Sequence, residues 1–271
     1  MVSFFLQQIA DETRLSREEV VRIFDEVAGS FLSEVFGYDV DFFLEKGVFY
    51  IYKDSGIVCE PLSSLSKSII KGIIARVKRE VRRRCEEEYL FRIYRVVRRR
   101  INTLVQGRVV GKKGRDYYVE FFLENDAVLP GRENLIHLVG VCSFADTTIS
   151  DRKSLKIGDT KFFLLKNCYL ERFNNLLRLV VILSRMSKTF VKKLFSHFGV
   201  DEKDILDVKR GFYRAKGKRR VFKTVVYAKN KLPKEVIRQV AKEIDEEVIV
   251  KYGKVTLQAI ESKKVHKGGM L

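Results

Sequence analysis

The stretch Leu183-Ser184-Arg185-Met186-Ser187-Lys188-Thr189-Phe190-Val191-Lys192-Lys193-Leu194-Phe195 joins two kinds of predicted structure. Residues 180–183 are all apolar, which predicts the last strand of a β region. Ser187 is then placed to cap a helix, because its hydroxyl can accept a hydrogen bond from a backbone N–H of the first turn. The apolar face of this helix is formed by Val191, Leu194, Phe195 and Phe198. The stretch therefore predicts that a β region passes directly into an α/β segment.

Upstream of this junction, residues 104–185 contain short apolar runs separated by turn residues. Residues 104–110 and 117–123 read as strands, and Gly111-Lys112-Lys113-Gly114-Arg115-Asp116 between them reads as a turn. Further short runs follow at residues 162–165 and 180–183. This pattern is typical of a five-stranded OB-type barrel.

Several motifs occur in a fixed order along this region. They are Gly107-Arg108-Val109, Tyr118-Val119, Ala127-Val128-Leu129-Pro130, Gly158-Asp159 and Leu183-Ser184-Arg185. In this order they resemble the S1-type barrel of NusA, a family of bacterial transcription termination and antitermination factors. The resemblance is strongest over residues 104–198. Residues 138–156 are longer than in the family and are predicted to form an inserted loop.

The N-terminal segment carries the signals of a helix followed by two strands. Ser16 and Glu19 have the spacing of a capping box, and residues 20–35 continue with apolar positions at helical spacing. Strands are predicted at 40–44 and 48–52. Residues 1–60 hold five Lys or Arg against twelve Asp or Glu, so this segment is acidic. Its order resembles the polymerase-binding head of NusA; a generic small α/β unit is the alternative.

Residues 65–101 have helical periodicity and contain no proline, which predicts one long helix or two stacked helices. The side of this segment away from the apolar positions is rich in arginine, and Glu86, Glu87 and Glu88 are spaced to pair with arginines one turn away. An arginine-rich helix face can be simply solvated or can contact nucleic acid, and the sequence leaves both open.

Residues 187–271 are predicted to contain a helix, strands at 206–213 and 221–228, a helix from Pro233 to residue 244, and a strand at 248–252. This order resembles the KH domain that follows the barrel in NusA. A KH domain grips the nucleic-acid backbone through a Gly-x-x-Gly loop between two helices. Here one helix follows the second strand and that loop is missing. Gly111-Lys112-Lys113-Gly114 matches the letters, but turn geometry explains its glycines.

The barrel chemistry points to binding rather than catalysis, because aromatic side chains on an OB face stack bases while basic side chains follow phosphates. Strand alternation places Tyr118 on the opposite face from Tyr117 and Phe121, so one of these sets must be core. The resemblance implies that Tyr118 faces outward. The predicted RNA-binding residues are Arg108, Lys112, Lys113, Arg115, Tyr118, Phe121, Arg132, Arg185, Arg214, Lys216, Lys218, Arg219 and Arg220. The polymerase-binding residues are not specified beyond residues 1–60.

Composition limits the possible functions. The net charge of +18 favours a polyanionic partner such as nucleic acid or an anionic membrane surface. The four cysteines lie far apart, which favours buried reduced thiols over a disulfide framework or a zinc site. No apolar run is long enough for a membrane span, and no signal peptide is recognisable, so a cytoplasmic protein without a membrane partner is expected. An enzyme, such as a nuclease fragment, is not expected, because clustered metal-binding carboxylates and phosphate-loop motifs are missing.

The sequence thus predicts a multidomain α+β protein. Its parts are a head with a long helix at 1–103, an S1-type OB barrel at 104–186 and a degenerate KH-like domain with a basic tail at 187–271. The resemblance implies a shortened NusA-like factor that modulates pausing, termination or antitermination. Its implied partners are core RNA polymerase, single-stranded nascent RNA and other Nus-type factors, and no cofactor or metal is expected. The alternative is an RNA-binding module, associated with ribosomes or other RNAs, that has no link to polymerase.

Overall fold

The computed structural model describes residues 9, 13, 15–124, 135–174, 176–213 and 221–252. These residues form five α-helices, two three-stranded sheets and one closed barrel, so the expected mixture of helices and sheets is confirmed. The chain divides into two compact units, Met1–Arg92 and Ile93–Leu271. Among the helices described, none has both the length and the apolarity needed to cross a membrane.

The first unit packs two helices around a small antiparallel sheet. Its elements are α1 (Arg17–Phe36), β1 (Asp39–Phe43), β2 (Val48–Lys53), β3 (Gly56–Pro61) and the first part of α2 (Lys67–Arg99). The capping box is confirmed: Ser16 Oγ accepts from the Glu19 N–H, and the Glu19 carboxylate accepts from the Ser16 N–H. Alternate strand residues such as Val40 and Phe49 are buried against α1. Helix and sheet therefore share one apolar core.

Residues 67–99 form one helix, α2, rather than two stacked helices. Its residues Ile73, Val77 and Val81 follow at intervals of four and enter the core of the first unit. Ion pairs along its surface include Arg83–Glu87 at 2.7 Å and Arg92–Glu88 at 2.5 Å, as the i,i+4 spacing predicted. Glu80 bonds both Arg83 and Arg84, and these guanidinium groups lower its pKa to about 2.

The second unit contains the barrel. Its strands are β4 (Leu104–Lys113), β5 (Asp116–Glu124), β6 (Leu135–Cys142), β7 (Thr160–Phe173) and β8 (Leu176–Ser184), in the order β4-β5-β6-β8-β7. All neighbours are antiparallel except β6 and β8, which pair in parallel through residues 141–142 and 182–183. The barrel interior is apolar and includes Val109, Val119, Phe163 and Leu183.

The prediction of a loop over residues 138–156 was wrong. Leu138 to Cys142 belong to β6, where Leu138, Gly140 and Cys142 alternate inward. This alternation is the ordinary period of a strand with one face in a core. The remainder contains a short helix, α3 (Ile149–Ser154), capped by Thr148.

Two of the sequence motifs have a structural explanation in β4. Val109 pairs in register with Val119 of β5, and the strand bulges between Val109 and Gly111. On the other edge of β4, the Val109 N–H donates to the Asp159 carbonyl, and the Gly158 N–H donates to the Val109 carbonyl. Gly158 adopts a φ of 98°, which favours glycine. The Gly158-Asp159 pair therefore completes the hydrogen bonding of the bulge.

The barrel is followed by α4 (Lys188–His197), β9 (Ile205–Tyr213), β10 (Val221–Ala228), α5 (Lys234–Ile244) and β11 (Glu247–Tyr252). Ser187 caps α4 as predicted, since its hydroxyl accepts from the Phe190 N–H. The sheet order is β11-β10-β9, with β10 and β11 parallel. One side of the sheet, including Val208 and Val226, shares a core with the two helices.

The four cysteines are free thiols. Cys142 and Cys168 are buried, and burial raises the pKa of the Cys142 thiol to about 12. Cys59 is exposed, so the prediction of a buried thiol was wrong there. Cys59 is paired in register with Tyr50, on the side of the first sheet away from Phe49 and its buried neighbours.

The barrel should not tolerate a side chain at Gly107. A Cβ there would lie 2.5 Å from Val119 Cγ1 and 3.0 Å from the Glu120 carbonyl, whereas a Cβ at Gly111 of the same strand meets nothing closer than 3.9 Å. Gly107→Ala is expected to lower the free energy of unfolding by about 1–3 kcal/mol. Gly111→Ala is the matched control and should stay near wild type. Urea unfolding measures both, and equal stability of the two variants would contradict this packing.

Candidate nucleic-acid interface

The outer surface of the barrel is set by alternation along β5. Tyr117, Val119 and Phe121 point into the barrel and are buried, while Tyr118 and Phe122 lie on the other face. The outward position of Tyr118 is thus confirmed. The inclusion of Phe121 among the RNA-binding residues was wrong, because this side chain is 1% exposed and lies in the core. A buried ring cannot stack on a base.

Phe122 was not among the predicted RNA-binding residues, but it has the exposed ring that was predicted at Phe121. It is 56% exposed and pairs in register with His137 of β6. The two rings are stacked with their centroids 5.1 Å apart. His137 Nε2 is hydrogen-bonded to Glu120 Oε1 at 2.5 Å. We refer to Tyr118, Phe122 and His137 as the aromatic strip.

The aromatic strip offers flat surfaces along one side of the barrel. Tyr118 and Phe122 are four residues apart on one strand, which corresponds to about 13 Å. Arg108 is exposed on β4 and faces Glu120 in register, so a cation lies beside the strip. A partly exposed ring at Tyr118 and an exposed ring at Phe122, with a cation nearby, can receive unpaired bases.

A group of cations lies at the hairpin end of the strip. Lys112, Lys113 and Arg115 are exposed at the turn between β4 and β5, where Gly114 has a φ of 61°. Lys112 Nζ lies 4.9 Å from the centre of the buried Tyr117 ring. The structure therefore brings these three predicted residues together with Tyr118, which follows directly in β5.

Phe144 is a further aromatic residue beside this hairpin. Its N–H donates to Asp116 Oδ1 at 3.0 Å, which ties it to the β4–β5 turn. The centre of its ring lies 5.0 Å from the guanidinium carbon of Arg115 and 3.3 Å from that of Arg152. Guanidinium groups attract the faces of aromatic rings. This contact holds Arg115 near the aromatic strip, and no local sequence pattern indicated it.

The prediction that Arg185 binds RNA was wrong. Its side chain is 1% exposed and its Nε donates to Asp151 Oδ1 at 2.7 Å, while Nη1 donates to Glu243 Oε1 at 2.9 Å. Burial alone would lower the pKa of this guanidinium, but the charges of Asp151 and Glu243 outweigh it and raise the pKa. Arg185 is therefore a buried structural cation.

The remaining predicted site residues lie outside the described part of the chain. They are Arg132, Arg214, Lys216, Lys218, Arg219 and Arg220. Within the described ranges, no group of three His, Cys, Asp or Glu side chains could hold a metal ion. Neither the protein-family models nor the curated proteins compared with this chain give a match.

Arg185 and Arg108 provide a matched pair of arginine variants. Arg185→Gln removes the cation from a buried ion pair and leaves Asp151, which is 2% exposed, without its partner. We expect the free energy of unfolding to fall by about 3–5 kcal/mol. Arg108→Gln changes an exposed side chain and should alter stability by less than about 0.5 kcal/mol. Chemical denaturation tests both, and a stable Arg185→Gln protein would contradict the structural role.

Proposed function

We propose that this chain is a shortened NusA-like transcription factor that binds RNA through its barrel. In this proposal the barrel is an S1-type OB fold, and the segment from α4 to β11 is a degenerate KH-like domain. The observation that carries the proposal is the aromatic strip of Tyr118, Phe122 and His137, with the cations of the β4–β5 turn at its end.

Single-stranded RNA fits this surface chemically. Unpaired bases stack on exposed rings, and phosphates accept hydrogen bonds from Lys112, Lys113 and Arg115. Stacking on rings discriminates weakly among bases, and phosphate contacts do not discriminate at all. Binding is therefore expected to be weakly sequence-selective and to weaken steeply with salt.

The head carries a different surface, which supports a protein partner. On the side of its sheet away from α1, Tyr52 and Ile57 are paired in register and are 41% and 65% exposed. Phe43 and Tyr50 lie on the same side, with ring centroids 5.8 Å apart. Exposed aromatic and apolar residues in contact are typical of protein interfaces. We call this surface the head sheet face.

Residues 1–60 are acidic, so this part of the head is a poor surface for RNA and a better one for a partner with basic groups. In the proposal the head docks on core RNA polymerase near the RNA exit channel. The barrel then meets the emerging transcript and alters pausing, termination or antitermination. The alternative, an RNA-binding module without polymerase, needs only the barrel and leaves the head sheet face unexplained.

Phe122→Ala should weaken binding of single-stranded RNA by roughly 5- to 150-fold, which corresponds to about 1–3 kcal/mol for one stacked base. Phe121→Ala is the matched control at the neighbouring position. It should cost about 3–5 kcal/mol of stability, because it leaves a cavity in the core. Fluorescence anisotropy and denaturation separate the two effects. Unchanged RNA affinity of a folded Phe122→Ala protein would overturn the barrel site.

Retention of core RNA polymerase by the immobilised full-length chain tests the other half of the proposal. Ile57→Arg places a charge in the middle of the head sheet face and should abolish or strongly reduce retention. Val35→Arg, at an exposed apolar residue of α1, is the control and should retain polymerase. If wild type retains no polymerase but binds RNA, the polymerase assignment falls and the free RNA-binding module replaces it.

A further inference from the structure

The sheet formed by β9, β10 and β11 has a second side, opposite the one that packs against α4 and α5. Alternation places Val208 and Val226 in the core and Lys209, Tyr227 and Lys251 on the other side. Tyr227 is half-buried in the central strand, and the two lysines are exposed on the strands that flank it. We refer to these three residues as the Tyr227 face.

The geometry of the Tyr227 face concentrates positive charge around one ring. Lys209 Nζ lies 5.1 Å and Lys251 Nζ 6.0 Å from the centre of the Tyr227 ring. In the part of the chain that the structure describes, neither lysine has an ion-pair partner. The carboxylates on this side are already engaged, since Asp207 pairs with Lys188 and Glu247 pairs with Lys223. Both ammonium groups lie over the Tyr227 ring without a carboxylate partner in the described residues, so an anionic ligand can pair with them.

We propose that the Tyr227 face is a second binding site for single-stranded RNA. One base stacks on the Tyr227 ring, and the exposed side chains of Lys209 and Lys251 turn from the ring to the phosphates on either side of it. The choice of RNA as the occupant rests on the proposed function, whereas the site is separate from the aromatic strip. A partly exposed ring in the central strand of a sheet, with cations on both flanking strands, suits an unpaired base.

The charge of the chain supports an anionic ligand here. Residues 1–60 are acidic while the whole chain carries +18, so residues 61–271 hold about +25. The ends of β9 and β10 pair at Tyr213 and Val221, and the sequence between them contains Arg214, Lys216, Lys218, Arg219 and Arg220. The sequence around this sheet therefore carries net charge of the sign that attracts a phosphate backbone.

Tryptophan fluorescence gives a direct test, because the chain contains no tryptophan. Tyr227→Trp keeps a flat ring in place and makes it the single tryptophan of the full-length protein, which can be excited selectively over the tyrosines. Titration with a short oligouridylate should quench this emission to a saturating level, as stacking requires. Tyr252→Trp is the control, since Tyr252 is exposed on the same sheet but alternates to the opposite side. Its emission should not change.

Affinity measurements on substituted proteins complete the test. Tyr227→Ala should weaken oligouridylate binding at least about fivefold, the lower end of the effect of one stacked base. Tyr227→Phe should bind like wild type. The double variant Lys209→Ala/Lys251→Ala should reduce the slope of log affinity against log salt by about 1.4, as expected for two lost phosphate contacts on a single strand. Circular dichroism confirms that each variant is folded.

The outcomes separate this inference from the proposed function. The Tyr227 site is overturned if Tyr227→Ala and the lysine double variant are folded and bind with wild-type affinity. If Phe122→Ala loses binding in the same experiment, the barrel site stands. Loss in the Tyr227 and lysine variants with normal binding by Phe122→Ala supports the inference and removes the barrel site. Absence of any oligouridylate binding by wild type overturns both.

Discussion

The packing of the second unit depends on the buried guanidinium group of Arg185, which cannot lose its charge by deprotonation. An arginine stays charged at any pH at which the protein folds, so Arg185 must be paired wherever it is buried. Its partners come from separate elements: Asp151 from α3, the Phe162 carbonyl from β7, and Glu243 from α5. The barrel and the α/β segment therefore have to pack together, because each supplies hydrogen-bond acceptors for the guanidinium group of Arg185.

A second buried arginine extends this network to the sheet of the α/β segment. Arg210 of β9 donates to the Arg185 carbonyl and to Glu246, while Thr224 of β10 donates to the other Glu246 oxygen. Burial lowers the pKa of Arg210, and the charge of Glu246 counters this only in part. The network joins the barrel to the sheet that carries Tyr227. The aromatic strip and the Tyr227 face thus belong to one packed unit. An RNA strand that bound at one of these surfaces would therefore be held near the other.

Local patterns in the sequence were enough to predict most elements, but not which polar residues are buried. The capping box at Ser16, the cap at Ser187 and the strands of the last sheet all follow from short-range rules. Arg185 could not be assigned this way, because its carboxylate partners lie 34 and 58 residues away. The exposure of Phe122 could have been predicted, because Phe122 lies four residues after Tyr118 and therefore on the same face of the strand. Strand alternation selects Phe122 and not Phe121 as the outward ring. No sequence pattern indicated the position of Phe144, because that position depends on the contact of Phe144 with the β4–β5 turn.

The missing Gly-x-x-Gly clamp also shapes how RNA would be held. Residues 221–252 contain no glycine, and β10 leads to a single helix, so this segment has no backbone loop that could grip phosphates closely. Binding would then depend on side chains at exposed sheet surfaces. Each stacked ring or lysine contributes modestly, and a useful affinity requires several of them on one rigid unit. Two buried arginines that fix the barrel against the sheet would supply that rigidity, so the residue first assigned to RNA contact, Arg185, would act on RNA only through the packing it enforces.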